Sequence, residues 1–130
     1  MSKYNLIKDK QSDHAYNERR ILPTLDHPFI VKLEKFAQDK RCIYFVQEFV
    51  NGGEFLTLLK QNKRLSYAAG QFYAAQIAMT IKYLHSKGVV YRDLKPENML
   101  VDRKGYIKLI DFGLSKNLME SSKTHKTMTV

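Results

Sequence analysis

The chain has 130 residues, 44% hydrophobic and 12% aromatic, which excludes a disordered or fibrous protein and suits one modest globular domain. The net charge of +9 admits an anionic partner such as nucleic acid, a membrane surface or phosphate groups, but the Lys and Arg residues are spread along the chain and read first as solvated faces. Cys42 is the single cysteine, so no internal disulfide can form, and no apolar run reaches the roughly 18 residues of a membrane-spanning helix.

The opening MSKYNLIKDK lacks the apolar centre of a signal peptide, so an intracellular, cytoplasmic setting is expected. Residues 9–22 are charged, with apolar points at Ala15, Ile21 and Leu22, and predict an amphipathic helix that Pro23 stops. Residues 29–39 and 41–50 are rich in Val, Ile, Phe and Tyr. They predict two strands joined by a tight turn near Asp39 and Lys40, with Cys42 a buried strand residue. Asn51-Gly52-Gly53 breaks the second strand, and 54–62 predicts a short helix. Ser66 is the expected N-cap of a long, largely buried helix that runs to Lys87 and closes at Gly88. After Val89, Val90 and a polar loop, 99–101 and 106–110 predict a hairpin turning over 102–105. From Leu114 onward the chain is polar and reads as loop.

The polar loop is YRDLKPEN, Tyr91 to Asn98, and the hairpin leads from it to DFG, Asp111 to Gly113. A loop between a helix end and a hairpin has rigid supports on both sides. Asp93 offers a carboxylate that can orient a hydroxyl and take its proton. Lys95 can neutralise a phosphate. Asn98 offers an amide oxygen, and the hairpin is expected to return Asp111 beside it, so that the two hold Mg²⁺ together with phosphate oxygens. Gly113 would permit a backbone turn. These are parts of a phosphoryl-transfer site. A lone DFG recurs by chance, whereas R-D-L-x-x-x-N with DFG at this distance and a hairpin between is a specific joint signal.

On these motifs the sequence resembles the eukaryotic serine/threonine protein kinases of the AGC group, the cAMP- and cGMP-dependent kinases above all, from Lys10 to Val130. Tyr91 stands where the family pattern has His, and Lys95-Pro96-Glu97 fits the serine/threonine branch. The resemblance implies an α+β, protein-kinase-like fold in part: the end of the small β lobe with its helix, the hinge, the start of the helical lobe, the catalytic loop and the DFG hairpin. It implies Asp93 as catalytic base, Lys95 on the transferring phosphate, and Asn98 and Asp111 on Mg²⁺. Glu18 would be the helix glutamate of the nucleotide-site ion pair. Glu48 and Val50 would give backbone groups to the adenine of ATP, Leu100 would lie under it, and Glu54 would meet the ribose. Gln47 takes the gatekeeper place, where an apolar residue is more usual.

Glu54 and Glu97 would receive arginines that precede Ser or Thr in a protein substrate. Leu22, Leu33, Tyr91 and Phe112 match the apolar stack between the lobes. Thr129 would be the phosphorylated residue of the activation segment, with His14, Arg92 and Lys116 as its cationic pocket. A regulatory subunit or domain is the further partner implied; nucleic acid is not, since no nucleic-acid motif occurs.

None of the six glycines forms G-x-G-x-x-G, and no V-A-I-K is present. Residues 1–130 are therefore expected to be a partial kinase domain, inactive and poorly stable alone. The alternative is a non-catalytic kinase-like binding or scaffold protein; the intact Asp93, Asn98 and Asp111 argue for the enzyme.

Overall fold

Helix α1 (Lys3–Lys8) is too short to hold itself in water and leans on the edge of a hairpin. In the computed structural model, which describes residues 1–119, the Met1 ammonium donates to the Ile43 carbonyl at 2.8 Å. The Ile43 N–H donates back to Met1 at 2.9 Å, and the Lys3 N–H donates to Arg41 at 2.9 Å. No expectation covered this helix, because its support is long-range. Helix α2 (Ser12–Ile21) falls within the expected 9–22. Its Ala15 packs with Leu6 and Ile43, flanked by Phe36 and Phe45. A 3₁₀ turn over Leu22–Thr24 follows, with Pro23 in its first turn.

Strands β1 (Leu33–Gln38) and β2 (Ile43–Gln47) form the expected antiparallel hairpin. Asp39 builds its turn: Oδ1 accepts from the N–H groups of Arg41 at 2.6 Å and Cys42 at 2.7 Å. Cys42 is half-buried, bridged to Ser2 at the mouth of β2, and not the buried strand residue expected. The single strand expected over 29–39 is two segments. Ile30 and Val31 are adjacent and both 2% exposed, which a half-buried strand with alternating faces cannot give. Residues 29–31 instead run against a second hairpin, and the chain changes sheets at Lys32.

Helix α3 (Phe55–Asn62) buries Phe55. Helix α4 (Tyr67–Ser86) starts as expected, with Ser66 Oγ accepting from the Ala69 N–H at 3.2 Å. It ends before Gly88, whose φ of +71° is the left-handed C′ conformation. The expectation that α4 is largely buried is not met. Its buried positions are Gln76, Thr80 and Leu84, one stripe at four-residue spacing, while Tyr67 and Met79 face solvent. Among the described residues, α4 has packing partners on one side only. Gln76 is satisfied within that stripe: its amide donates to Phe72 at 3.2 Å and its Oε1 accepts from the Ile107 N–H at 2.9 Å. The Tyr83 hydroxyl accepts from the Asp26 N–H at 2.8 Å and fixes the connection that leads into residues 29–31.

Strand β3 (Val89–Val90), a 3₁₀ turn at Pro96–Asn98, and strands β4 (Met99–Val101) and β5 (Ile107–Leu109) complete the platform. Asp102 holds the β4–β5 turn, its Oδ1 accepting from the N–H groups of Lys104 at 2.8 Å and Tyr106 at 2.9 Å. The region after Leu114, expected as loop, contains strand β6 (Lys116–Asn117), antiparallel to β3. Two polar residues carry no strand pattern; the pairing comes from Val89 and Val90, far back in the chain. The main core gathers Ile21, Leu22, Leu84, Val89, Leu109 and Phe112.

Leu84 is fully buried and Met79 is 56% exposed on the same helix. Leu84→Ala should destabilise the fold by about 2–5 kcal/mol, and Met79→Ala by no more than about 0.5 kcal/mol, as read from urea denaturation followed by circular dichroism.

Candidate active site

The polar loop is anchored at its first residue. Tyr91 is 2% exposed, and its phenol donates to the Ile110 carbonyl. Burial raises the pKa of that phenol, so it stays a donor. Its ring meets Phe112 edge-to-face, centroids 5.2 Å apart, and Leu22 and the half-buried Leu33 join the same core. The four residues of the expected apolar stack are thus parts of one cluster. Arg92 follows with φ +68°, a conformation unfavourable for a residue with a Cβ. Its Nε donates to the Leu114 carbonyl at 2.7 Å and ties the loop to the segment after DFG.

The next turn brings three expected residues together. Asp93 Oδ2 accepts from Lys95 Nζ at 2.7 Å and from Asn98 Nδ2 at 2.8 Å. The Lys95 bond, and less strongly the Asn98 bond, hold the Asp93 carboxyl below the usual carboxylate range. The same contact raises the pKa of Lys95. Asp93 is therefore ionised at neutral pH, a carboxylate able to accept a hydroxyl hydrogen bond. Asn98 is 6% exposed, its amide nitrogen turned to Asp93 and also bonded to the Asp93 carbonyl at 3.1 Å. Its amide oxygen is the atom left to act as a ligand.

Strand β5 returns Asp111 to Asn98 as expected. The Ile110 N–H donates to the Asn98 carbonyl at 3.0 Å, and Asp111 is the next residue. Asp111 has φ +58°, is exposed, and its Oδ1 accepts from the Gly113 N–H at 3.2 Å. One amide oxygen and one carboxylate fit Mg²⁺, which takes few protein ligands and completes its shell with water and phosphate oxygens. No group of three His, Cys, Asp or Glu side chains suited to a metal occurs among the described residues. Gly113 sits in the turn foreseen for it, closed by the Ser115 N–H donating to the Phe112 carbonyl at 3.0 Å. A Cβ on Gly113 would stand 3.0 Å from the His14 Cβ, so the glycine also eases the close approach of α2. Asn17 Nδ2 donates to the Gly113 carbonyl at 3.3 Å across the same contact.

Glu18 points from α2 toward this region. Gln47 Nε2 donates to its Oε1 at 3.4 Å, and the Phe112 N–H also donates to it. Burial, and then the charge of Asp111, push its carboxyl up to about 6. No cation pairs with Glu18 among the described residues. It lines an open cavity of about 370 Å³ with Ile43, Phe45 and Gln47.

Between β2 and α3, Glu48 turns its side chain to Lys108 and Lys32, while Val50 packs on the core. Gly52 and Gly53 are clamped to β4: the Gly52 N–H donates to Val101 at 2.8 Å, and the Val101 N–H to Gly53 at 2.8 Å. This clamp sets Glu54 against Leu100 in an antiparallel bridge, so those two expected site residues are neighbours. Glu54 precedes α3, which packs on the turn that carries Glu97, and both carboxylates face solvent. His14 lies against Gly113, Arg92 bonds the Leu114 carbonyl, and Lys116 is in β6 beside Val90, so the three are placed along residues 113–116. Thr129 lies outside the described residues. The sequence reading missed Asn17 and Lys108, since a polar residue on a helix and a lysine in a strand carry no local mark of their long-range partners.

Comparison with known proteins bears on the family of the chain. The family model described as "Protein kinase domain" matches residues 1–130. The chain is 48% identical over 124 residues to the mouse cAMP-dependent protein kinase catalytic subunit PRKX, covering 95% of this chain and 35% of that protein. It is 41% identical over 116 residues to the cAMP-dependent protein kinase type 3 of Saccharomyces cerevisiae, covering 89% and 29%. It is 45% identical over 128 residues to the serine/threonine-protein kinase sgk-1 of Caenorhabditis elegans, covering 98% and 28%. The chain spans about a third of the length of the curated relatives it matches.

The raised pKa of Glu18 carries a sign. A carboxyl lifted in the folded state stabilises the fold while protonated, fully so below its ordinary 4.5, and loses that contribution as pH rises through about 6. Glu18→Gln should remove this dependence and be more stable than wild type at pH 7 by up to about 2 kcal/mol, with the difference vanishing below pH ~4.5 in denaturant midpoints taken across that range.

Proposed function

The chain belongs to the protein kinase domain family, and on that premise we propose that it is part of a serine/threonine kinase that transfers the ATP γ-phosphoryl group to Ser or Thr in basic protein substrates. The observation that supports this best is the Asp93–Lys95–Asn98 cluster with Asp111 beside it. Asp93 accepts the hydrogen bond of the substrate hydroxyl, orients its oxygen, and takes the proton as the oxygen is phosphorylated. Lys95 lies within reach to balance charge on the transferred group. Asn98 and Asp111 would hold Mg²⁺, which neutralises charge on the phosphates. Phosphoryl transfer asks the protein mainly for positioning and electrostatics, and the rigid supports of the loop suit that demand.

In this reading the backbone at Glu48 and Val50 receives the adenine, with Leu100 below it and Glu54 at the ribose. The clamp of Gly52 and Gly53 on β4 supports that arrangement. Glu54 and Glu97 are solvent-facing carboxylates able to take substrate guanidinium groups as bidentate pairs. Glu18 is a half-buried carboxylate suited to a lysine of the nucleotide site. His14, Arg92 and Lys116 would receive a phosphate on Thr129. Residues 1–130 contain no G-x-G-x-x-G, so we assign them to part of the kinase domain and expect them to be inactive in isolation. Two of the relatives are named as cAMP-dependent kinases, one of them as a catalytic subunit, which supports a regulatory subunit or domain as partner. No helix among the described residues is long and apolar enough to cross a membrane; the likeness to cAMP-dependent kinases supports a place inside the cell.

In the protein that carries this chain together with a nucleotide-binding lysine strand, Asp93→Asn should lower phosphate transfer from radiolabelled ATP to an Arg-rich Ser peptide by roughly 10²–10⁴-fold while nucleotide binding is retained. A wild-type protein that binds Mg-ATP and transfers nothing would mark a binding module instead.

A further inference from the structure

Lys108 lies on β5, outside the polar loop, and its ammonium is 2.7 Å from Glu48 Oε1. The pair is partly withdrawn from water, with side chains 17% and 30% exposed. The same oxygen accepts from the Lys32 N–H at 2.9 Å, and the Glu48 N–H donates back to the Lys32 carbonyl at 3.0 Å. Glu48 is thus held by two separate stretches of chain. A carboxylate fixed in this way cannot swing freely, and neither can its own peptide.

Lys108 acts on a second residue through its backbone. It is the cross-strand partner of Leu100, and Leu100 is bridged to Glu54. One residue therefore addresses both sides of the adenine site assigned above: Glu48 by its side chain, Leu100 by its register. The ion pair gives the first of these contacts more weight than an exposed pair would have, because its partners are half-dehydrated and hydrogen-bonded.

We propose that Lys108 is a positioning residue for the nucleotide, fixing through Glu48 the peptide that meets the adenine and so setting nucleotide affinity without touching the ligand. This rests on the kinase reading of the site. Loss of the ammonium frees Glu48, loosens the peptide, and lowers affinity for the base. The transfer step, carried by Asp93 and its neighbours, is left in place.

The test uses the protein carrying this chain, with binding of N-methylanthraniloyl-ATP and of adenosine followed by fluorescence and calorimetry. Lys108→Met and Glu48→Gln should each weaken nucleotide and adenosine binding on the order of tenfold, with the double variant no worse than either single one. KM for ATP should rise to match while kcat stays within about twofold. The two variants change the net charge in opposite directions, so an effect of overall field on the phosphates would shift ATP affinity in opposite senses and would leave adenosine unaffected. Opposite shifts, or unchanged affinity beside a lowered melting temperature, would overturn the proposal alone. A wild-type protein that binds no nucleotide would overturn both it and the kinase reading. Lys104→Met, in the exposed hairpin turn, should change nothing.

Discussion

Strand β5 is bonded along both of its edges, and the site depends on that double attachment. On one edge it pairs with β4, Leu109 against Met99. On the other, the Leu109 N–H donates to the Phe29 carbonyl at 2.8 Å and its carbonyl accepts from the Val31 N–H at 3.0 Å. Gln76 adds a third fixing point from α4 at Ile107. A slip of one residue would flip every side chain of β5 to the opposite face. Asp111 would then leave Asn98, Phe112 would leave Tyr91, and Lys108 would leave Glu48. The strand has only three residues, so its register comes from its neighbours rather than from its own length.

The same attachment explains how one short region carries carboxylates with different properties. Asp93 lies near the surface and meets an ammonium and an amide, which keep it ionised. Glu18 lies deeper, without a cation among the described residues and with Asp111 as a neighbouring negative charge, and its pKa rises. An acid of the first kind orients a hydroxyl; one of the second kind gains most from a cation brought to it. Gln47 bears on this second group. Where the family more usually has an apolar residue, this chain has an amide that donates to Glu18 and draws α2 toward β2.

Much of the site was legible because its residues are close in sequence. Asp93, Lys95 and Asn98 are within one loop, and the Asp102 turn marks the hairpin that returns Asp111. Caps were legible for the same reason: Ser66 and Gly88 act within their own helix ends. The failures share one physical origin. Helix α1 and strand β6 are held by partners distant in sequence, and residues 29–31 change sheets because two adjacent side chains must both be buried. The turn at Gly113 was legible, whereas its close contact with α2 is one that no local pattern announces.

The sequence by itself determined the chemistry: the carboxylate, amide and ammonium groups, their spacing, and the hairpin between them. Local rules suffice there, since turns, caps and loop spacing act over a few residues. Tertiary structure alone decided which groups face one another across longer distances. It set Glu18 beneath Gln47, Lys108 on Glu48, and His14 on Gly113. Those pairings follow from how the two hairpins and α2 pack, and packing is a property of whole buried surfaces, which no short stretch of sequence contains.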